Sequence, residues 1–458
     1  MTRPPSVAAG RVPGCRVLSR SVAVVAAVGL LAACGSSGGS GSGSGKTAQA
    51  GGDFTKGVLD QKFAGQTIHV IVPSYAAMPK ASLAQFTQQT GIAVDLQTLD
   101  FDSIHDKVAT SEAAGVAPAD VTEVDWSWVG QFGAAGWYQD LQPFLPTEVV
   151  SSSAVSPSFK FGGKQLAMPY SLDFRAMYVN MTLLKAAGIA TPPTTWDEVE
   201  QDAKTLQARN VLHSPIGVPL SVTEGGATPW YALIKSAGGE ILDDSGQPAF
   251  TGADSAGAQA LAFEKRLYQE QLIPAGAVAI NDQKTSDLFA AGQLAIELSF
   301  TPGAFSTYLD PKSSKIAKDD VRLVALPGHN GTETGTFGLP EGFGIPKNAA
   351  HSGAAAEFIF WWQQPAQLLT SYNDPNMGNF PPSTAVIDGL VKQGKLNGGA
   401  AILKILPSVK PLFPKGTPSW YPQFSTDVST MIQAVVEGKQ QPDAGLAALG
   451  DKVKSLAK

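Results

Sequence analysis

The chain has 458 residues, of which 33 are basic and 39 are acidic, so its formal net charge is −6 at pH 7. This acidic balance disfavours nucleic acid and anionic membrane surfaces as partners, because neither attracts a protein that lacks a basic face. The two cysteines, Cys15 and Cys34, both lie near the N-terminus, so the remaining chain has no disulfide and no cysteine-based metal site.

The N-terminal residues 1–33 have the pattern of an export signal. Four arginines precede a twelve-residue apolar run, Val22 to Ala33, which is too short for a permanent membrane span. The segment Leu31-Ala32-Ala33-Cys34 resembles a bacterial lipobox. That resemblance implies cleavage before Cys34 and acyl chains on its thiol and amine, which would hold the protein on a membrane. The alternative is an ordinary secretory signal with an incidental cysteine, and both interpretations predict a protein that works outside the cytoplasm.

A tether and then alternating strands and helices follow this leader. Residues 34–53 combine the cysteine with a stretch rich in Gly and Ser, which predicts a flexible tether with a reach of about 20–25 Å. The β-branched run at 67–72 predicts a strand, and the apolar positions of 83–90 predict a helix that Gly91 ends. Alternating apolar residues at 92–96 predict a second strand. A strand, helix and strand in this order indicate an α/β fold with a largely parallel sheet.

Further along the chain, helix signals continue without an internal repeat. The segment Thr195-Trp196-Asp197-Glu198 is a capping box, which predicts a helix beginning at that point. Apolar spacing predicts another helix over 258–267 and a C-terminal helix from Asp427. The five histidines are scattered, and neither an H-E-x-x-H motif nor a serine nucleophile elbow with a strand before it and a helix after it is present.

Several short motifs, taken in their order and spacing, resemble those of one protein family. They are Phe86–Val94 (FTQQTGIAV), Ala119–Val121 (ADV), Ala135–Leu141 (AGWYQDL), Gly163–Tyr170 (GKQLAMPY), Met177–Asn180 (MYVN), Leu184–Gly188 (LKAAG), Pro192–Val199 (PPTTWDEV), Phe289–Ile296 (FAAGQLAI) and Gly342–Pro346 (GFGIP). The pattern resembles the extracellular solute-binding proteins of ABC importers, of the family-1 type that includes maltose and other sugar binders.

This resemblance implies a periplasmic-binding-protein-like α/β fold with two lobes, joined by hinge segments around a ligand cleft. The N-terminal lobe would comprise residues 54–172 and 300–348, and the C-terminal lobe residues 173–299 and 349–458. The implied function is to capture a small solute and deliver it to the permease subunits of an ABC importer. The resemblance favours a carbohydrate as that solute. The implied protein is a monomer anchored to the cell membrane through Cys34, with no enzymatic activity and no cofactor. No residue is assigned as a metal ligand, and the sequence neither requires nor excludes a metal ion.

The candidate ligand contacts are aromatic and acidic side chains at predicted strand ends, helix starts and lobe crossings. Sugars present an apolar ring face and many hydroxyls, so aromatic rings for stacking and carboxylates for paired hydrogen bonds suit them. The candidates are Tyr75, Asp125, Trp126, Asp173, Arg175, Glu224, Trp230, Tyr231, Phe300, Glu341, Trp420 and Tyr421. Packing in the core is the alternative role for the aromatic residues, and a hinge salt bridge is the alternative for Asp173 and Arg175.

The charge of these candidates favours some ligand classes over others. Several acids with a single arginine suit a neutral polyol or a cationic solute better than a phosphate, which calls for convergent donors. A glycerophosphodiester or another small polar or cationic solute remains the alternative ligand. A lipid-anchored hydrolase is the alternative of another class, since paired carboxylates for glycoside hydrolysis cannot be judged without a structure.

Overall fold

The structure is a computed structural model, and it describes residues 56–331, 335–374 and 376–457. The predicted leader, the tether and Cys34 lie outside these residues. Within the described ranges, no helix has both the length and the apolar character that a membrane crossing needs.

The first part of the described chain alternates strands with helices, as predicted. Its strands are β1 (Thr67–Pro73), β2 (Ala93–Leu99), β3 (Val121–Asp125), β4 (Lys160–Phe161), β5 (Lys164–Gln165) and β6 (Ala167–Phe174). Its helices are α1 (Lys80–Thr90), α2 (Phe101–Ala113), α3 (Val129–Ala135) and α4 (Thr147–Val150). Gly91 follows α1 in the left-handed conformation, which a residue without Cβ adopts easily, so the predicted helix end is confirmed.

The middle part carries the strands β7 (Ala176–Asn180), β8 (Ile216–Gly217), β9 (Ile296–Phe300) and β10 (Val321–Val324). Its helices are α5 (Met181–Ala186), α6 (Trp196–Ala208), α7 (Glu224–Ser236), α8 (Ala256–Gln269), α9 (Asp282–Ala290) and α10 (Ala304–Leu309). The predicted capping box is confirmed at α6, where the Thr195 side chain accepts from the Glu198 amide and the Glu198 carboxylate accepts from the Thr195 amide.

The last part contains two strands, β11 (Thr336–Gly344) and β12 (Val409–Lys410). Its helices are α11 (Ser352–Trp362), α12 (Pro365–Asn373), α13 (Thr384–Lys392), α14 (Gly399–Ile405), α15 (Tyr421–Val436) and α16 (Pro442–Leu456). Val428, Ile432 and Val435 form a buried stripe on α15, which confirms the helix predicted from Asp427 onward, although it begins six residues earlier.

The larger strands form two sheets. The first sheet has the order β12-β11-β3-β1-β2, with β6 also paired to β11, and the second has the order β10-β7-β9-β8. Strand β1 is parallel to both β2 and β3, as strands connected through helices are expected to be, whereas β11 is antiparallel to β3 and β6. The short strands β4 and β5 form a separate pair.

The chain crosses between the sheets at several points. Only Arg175 separates β6 of the first sheet from β7 of the second, and the return lies between β10 and β11. Strand β10 pairs with β7, so it belongs to the second sheet, which differs from the predicted assignment of residues 300–348 to the N-terminal lobe.

Helix α11 packs against α1, which lies on the first sheet. The Phe86 ring of α1 lies 5.3 Å from the Phe358 ring and 5.2 Å from the Trp361 ring. The prediction placed α11 in the C-terminal lobe, from residue 349 onward, whereas this contact places α11 beside the first sheet. The aromatic side chains of α11 explain the difference, because they complete the apolar cover over α1 and the sheet.

The segment before β1 docks on the same helix. The Asp60 amide donates to Glu357 Oε1 at 2.9 Å, and the Phe63 ring lies so close to Gly353 that a Cβ there would come within 2.4 Å of it. Lys56 Nζ also donates to the carbonyl of Gln142 at 2.7 Å. Residues 56–63 are therefore held to the side of the molecule that carries the first sheet.

Candidate functional site

Carboxylates meet at the end of β3, where β11 runs beside it. Asp125 is the last residue of β3 and lies opposite Glu341 of β11 in the register. Because alternate residues of a strand share a face, Glu123 lies on the same face of β3 as Asp125. The Tyr75 hydroxyl, in the turn after β1, donates to Glu341 Oε1 at 2.5 Å. The Tyr170 hydroxyl of β6 donates to Glu341 Oε2 at 3.3 Å.

Burial dominates the electrostatics of these acids. It raises the pKa of Glu123, and the charge of Glu341 raises that pKa further. The pKa of Glu341 is raised by burial first and then by Asp125 and Asp173. Burial also raises the pKa of Asp125 to about 7, although hydrogen bonds from Ser127 oppose the rise. Burial and the neighbouring charges therefore favour the protonated forms of these carboxyls, and a protonated carboxyl can donate a hydrogen bond as well as accept one.

Asp173 and Arg175, at the crossing from β6 to β7, add an acid and a cation to the site. Asp173 Oδ2 accepts from the Ser171 hydroxyl at 2.9 Å, and burial raises the Asp173 pKa to about 6. Arg175 is 4% exposed, and its Nη2 donates to the Thr228 hydroxyl at 2.5 Å. Its Nε is buried without a hydrogen-bond partner among the described residues. The guanidinium thus bonds a hydroxyl of α7, while its Nε–H has no partner among the described residues.

Side chains of the second sheet's helices form the opposite wall. Glu224 is the first residue of α7, where the aligned backbone amides favour a negative charge. Its two carboxylate oxygens accept from the Tyr421 and Ser425 hydroxyls of α15, each at 2.5 Å. These bonds oppose the rise in the Glu224 pKa that burial causes.

The two walls touch through aromatic rings and through charge. The Trp126 ring, in the loop after β3, lies 5.0 Å from the Tyr421 ring of α15 at an interplanar angle of 53°. The charge of Glu224 raises the pKa of Asp125, while that of Arg175 lowers it. Residues predicted from separate parts of the sequence are therefore brought together where the two sheets meet.

Other candidates lie in packed surroundings. Trp230 is fully buried, donates its indole N–H to the Gly257 carbonyl at 2.9 Å and packs edge-on to Phe250. Tyr231 is also fully buried, with its ring stacked 6.1 Å from that of Phe424.

Phe300 and Trp420 lie at the ends of other elements. Phe300, at the end of β9, is mostly buried opposite Ala176. Trp420 is half-buried, with edge-on contacts to Phe413 and Phe424.

Four residues of this site were missed by the sequence reasoning. Glu123 could have been found, because it precedes Asp125 by two residues on a strand that ends at a candidate loop. Ser425 lies one helical turn after Tyr421, so it shares a face with a predicted residue. Tyr170 and Thr228 gave no comparable signal, since their partners come from distant segments.

Comparison with known families decides the class of protein. Residues 71–368 match the family described as bacterial extracellular solute-binding protein, a span of more than half of the chain. The chain belongs to this family.

Named relatives of this solute-binding protein align with it over different shares of its length. The diacetylchitobiose binding protein DasA of Streptomyces coelicolor is 24% identical over 453 residues, which cover 95% of this chain and 98% of that protein. The erythritol/L-threitol-binding protein of Mycolicibacterium smegmatis is 27% identical over 214 residues, or 41% of this chain and 43% of that protein.

Solved structures establish the fold. A solute-binding protein of Thermotoga lettingae, bound with alpha-D-tagatose, superposes with a TM-score of 0.75 at 21% identity, over 86% of this chain and all of that one. Another from Agrobacterium radiobacter, in complex with ribitol, gives a TM-score of 0.76 at 20% identity, over 86% of this chain and 99% of that one. The predicted family and the periplasmic-binding-protein-like fold with two lobes are confirmed, and so is the prediction of a binding protein rather than an enzyme.

Proposed function

We propose that this solute-binding protein captures a small polyhydroxylated solute, a sugar or a polyol, in the cleft between its lobes. The first lobe is the one built on the first sheet, and the second lobe is the one built on the second sheet. The loaded protein then delivers the solute to the permease subunits of an ABC importer. The predicted ligand contacts are part of this proposal, and so is the division into lobes, with β10 in the second lobe and α11 in the first.

The observation that carries the proposal is the meeting of acids and aromatic rings from both lobes. Asp125 and Trp126 come from the first sheet, and Glu224 and Tyr421 come from helices of the second lobe. Carboxylates accept hydrogen bonds from adjacent hydroxyls, while aromatic rings cover the apolar face of a sugar. A solute bound between the walls would thus contact both lobes at once.

Charge narrows the ligand class. Arg175 is the cation that influences the pKa of Asp125, Asp173 and Glu224, and its Nη2 is already bonded to Thr228. A phosphodiester would need several convergent donors beside these acids. The names of the two relatives and two solved structures described above point the same way, since they describe binding of sugars and polyols by those proteins. A relative from Sinorhizobium fredii, 28% identical over 277 residues, is instead named as a probable amino-acid ABC transporter periplasmic-binding protein.

The crossing at Arg175 suits a protein that opens and closes. A single residue separates two strands of different sheets, so small changes in its backbone angles would rotate one lobe against the other. A solute that contacts both walls binds the closed form more tightly and shifts the population toward it. The closed form would be the one that the importer recognises.

The site of action follows from the predicted leader. Cleavage before Cys34 and acylation of that cysteine would anchor the protein to the outer face of the cell membrane as a monomer. The Gly/Ser-rich tether would then allow the binding lobes to reach a permease in the same membrane.

A binding screen tests the proposed function. The purified full chain is titrated calorimetrically with D-tagatose, ribitol, D-mannitol, N,N′-diacetylchitobiose and glycerophosphocholine. We expect one saturable site for a sugar or a polyol, and a rise in Tm with the same compound because it binds only the native state. Binding of glycerophosphocholine alone would refute the sugar or polyol class, and the absence of binding across an extended sugar panel would refute the capture of such solutes.

A further inference from the structure

Glu123 is a buried carboxylate on β3, close to Glu341 of β11. Its side chain is 0% exposed, and neither carboxylate oxygen accepts a hydrogen bond of good geometry from the described residues, although the Tyr170 hydroxyl and the Gly342 amide lie near enough to lower its pKa. Native proteins pair nearly all of their buried polar atoms. A buried carboxylate without a partner destabilises the fold unless a proton, a cation or a donor from a ligand reaches it.

The groups around Glu123 come from four separate segments and carry no positive charge. Glu341 belongs to β11, Tyr170 to β6, Tyr75 to the turn after β1, and Asp125 to β3 itself. Their charges and hydroxyls are the main electrostatic influences on Glu123 and Glu341 besides burial. Tyr75 and Glu341 are half-buried, so they form the exposed edge of this group.

The cation of the site acts elsewhere. Arg175 influences Asp125, Asp173 and Glu224, and it is absent from the main influences on Glu123 and Glu341. The described residues also contain no group of three or more acidic, histidine or cysteine side chains arranged to hold a metal ion. The positive charge that this carboxylate pair lacks would therefore have to arrive with the solute or as a proton.

We propose that Glu123 and Glu341 form a subsite for an ammonium group, so that the captured solute is an amino sugar or an amino polyol. This inference rests on the proposed function and specifies its substrate class. A primary ammonium brings one positive charge and three N–H donors, whereas a hydroxyl brings one donor and no charge. The two carboxylate oxygens of Glu123 and Oε2 of Glu341 can accept hydrogen bonds from those N–H groups.

Binding of such a solute should release a proton from the carboxylate pair. Without solute, two carboxyls buried side by side cannot both ionise, so the pair retains a proton. When the ammonium enters with its own charge, that proton leaves to the solvent. A neutral polyol leaves the pair protonated and releases nothing.

The test compares D-sorbitol with D-glucamine, in which one terminal hydroxyl of the same polyol is replaced by a protonated amine. Both are titrated calorimetrically into the purified full chain at pH 7, in two buffers with different ionisation enthalpies. We expect glucamine to bind about tenfold more tightly or better, the scale of one charge-assisted hydrogen bond. We also expect roughly one proton to be released per glucamine and none per sorbitol.

Two matched variants separate a specific role from general effects of charge. In Glu123→Gln, the ratio of the two affinities should fall severalfold, because the amide cannot attract the ammonium and only Glu341 of the pair still faces it. The control is Glu264→Gln on α8, since Glu264 is equally buried and both of its oxygens also lack partners. No charged neighbour contributes appreciably to the raised pKa of Glu264, which burial sets at about 8. The control should keep the full preference for glucamine.

The outcomes distinguish this inference from the proposed function. Equal affinities for the amine and the polyol, or a preference that is unchanged in Glu123→Gln, would overturn the ammonium subsite. If sugars or neutral polyols bind and no amine binds more tightly than its hydroxyl counterpart, the subsite is refuted while the proposed function stands. If neither an amine nor any neutral sugar or polyol binds, both are refuted.

Discussion

The substitution Asp125→Asn tests whether the Asp125 carboxylate strengthens solute binding while it lowers the stability of the fold. Asp125 is 4% exposed and its Oδ1 accepts from the Ser127 amide at 2.8 Å. Asparagine has nearly the same shape and keeps an oxygen for that bond, but it cannot ionise. We therefore expect the variant to bind the solute more weakly and yet to be more stable at alkaline pH.

The magnitude follows from the raised pKa. Burial raises the Asp125 pKa from its ordinary 3.8 to about 7, so the folded state favours the protonated carboxyl. The stability that this group contributes is fully present below about pH 4 and is lost as the pH rises through 7. At roughly 1.4 kcal/mol for each pH unit between the two values, the loss approaches 4 kcal/mol at pH 8. An asparagine avoids this loss, so a gain of about 2–4 kcal/mol is expected at pH 8 and almost none at pH 4.

Urea unfolding of the wild type and the variant at pH 4 and pH 8 measures both values, and calorimetry with the solute found in the screen measures binding. A variant that is less stable at pH 8 would contradict the reasoning. An equal gain at both pH values would also contradict it, because the effect would then not come from ionisation.

Three further substitutions have distinct expected results. Thr195→Ala removes the capping box of α6 and should lower the free energy of unfolding by about 1 kcal/mol in urea titrations, and no change would show that the cap is not needed. Gly378→Ala should destabilise by about 1–3 kcal/mol more than Gly246→Ala in the same measurement, because both have positive φ but only at Gly378 would a Cβ meet a backbone atom, Gly303 O at 2.6 Å. Trp420→Ala should weaken solute binding with a Tm change of only a few degrees, since the side chain is half-buried, and a collapse of the melting transition would assign Trp420 to the core.

Local signals in the sequence predicted the local elements well. The capping box placed the start of α6 correctly, and the run at 67–72 and Gly91 placed β1 and the end of α1, because these patterns depend only on neighbouring residues. The position of β10 could not be predicted in the same way. Its four residues give a weak pattern, and only pairing with distant β7 decides to which sheet it belongs.

The candidate site was predictable in its residue types more than in its geometry. Asp125 was found because it ends a predicted strand and Glu341 because it precedes the motif Gly342–Pro346, yet their direct opposition depends on the register of two strands far apart in sequence. Glu123 was missed although its spacing of two residues from Asp125 places both side chains on one face of the strand. Trp230 shows the converse, since a tryptophan beside a ligand loop and one packed on Phe250 look the same in sequence.

The docking of residues 56–63 on α11 has a mechanical consequence. Any pull exerted through the N-terminal segment passes into α11 and the first sheet, through the bond from Asp60 to Glu357 and the contact of Phe63 with Gly353. The force therefore bypasses Arg175, where the lobes are joined. If the chain is anchored at Cys34, the tether restrains the first lobe, and the second lobe can rotate about the hinge without stretching the tether.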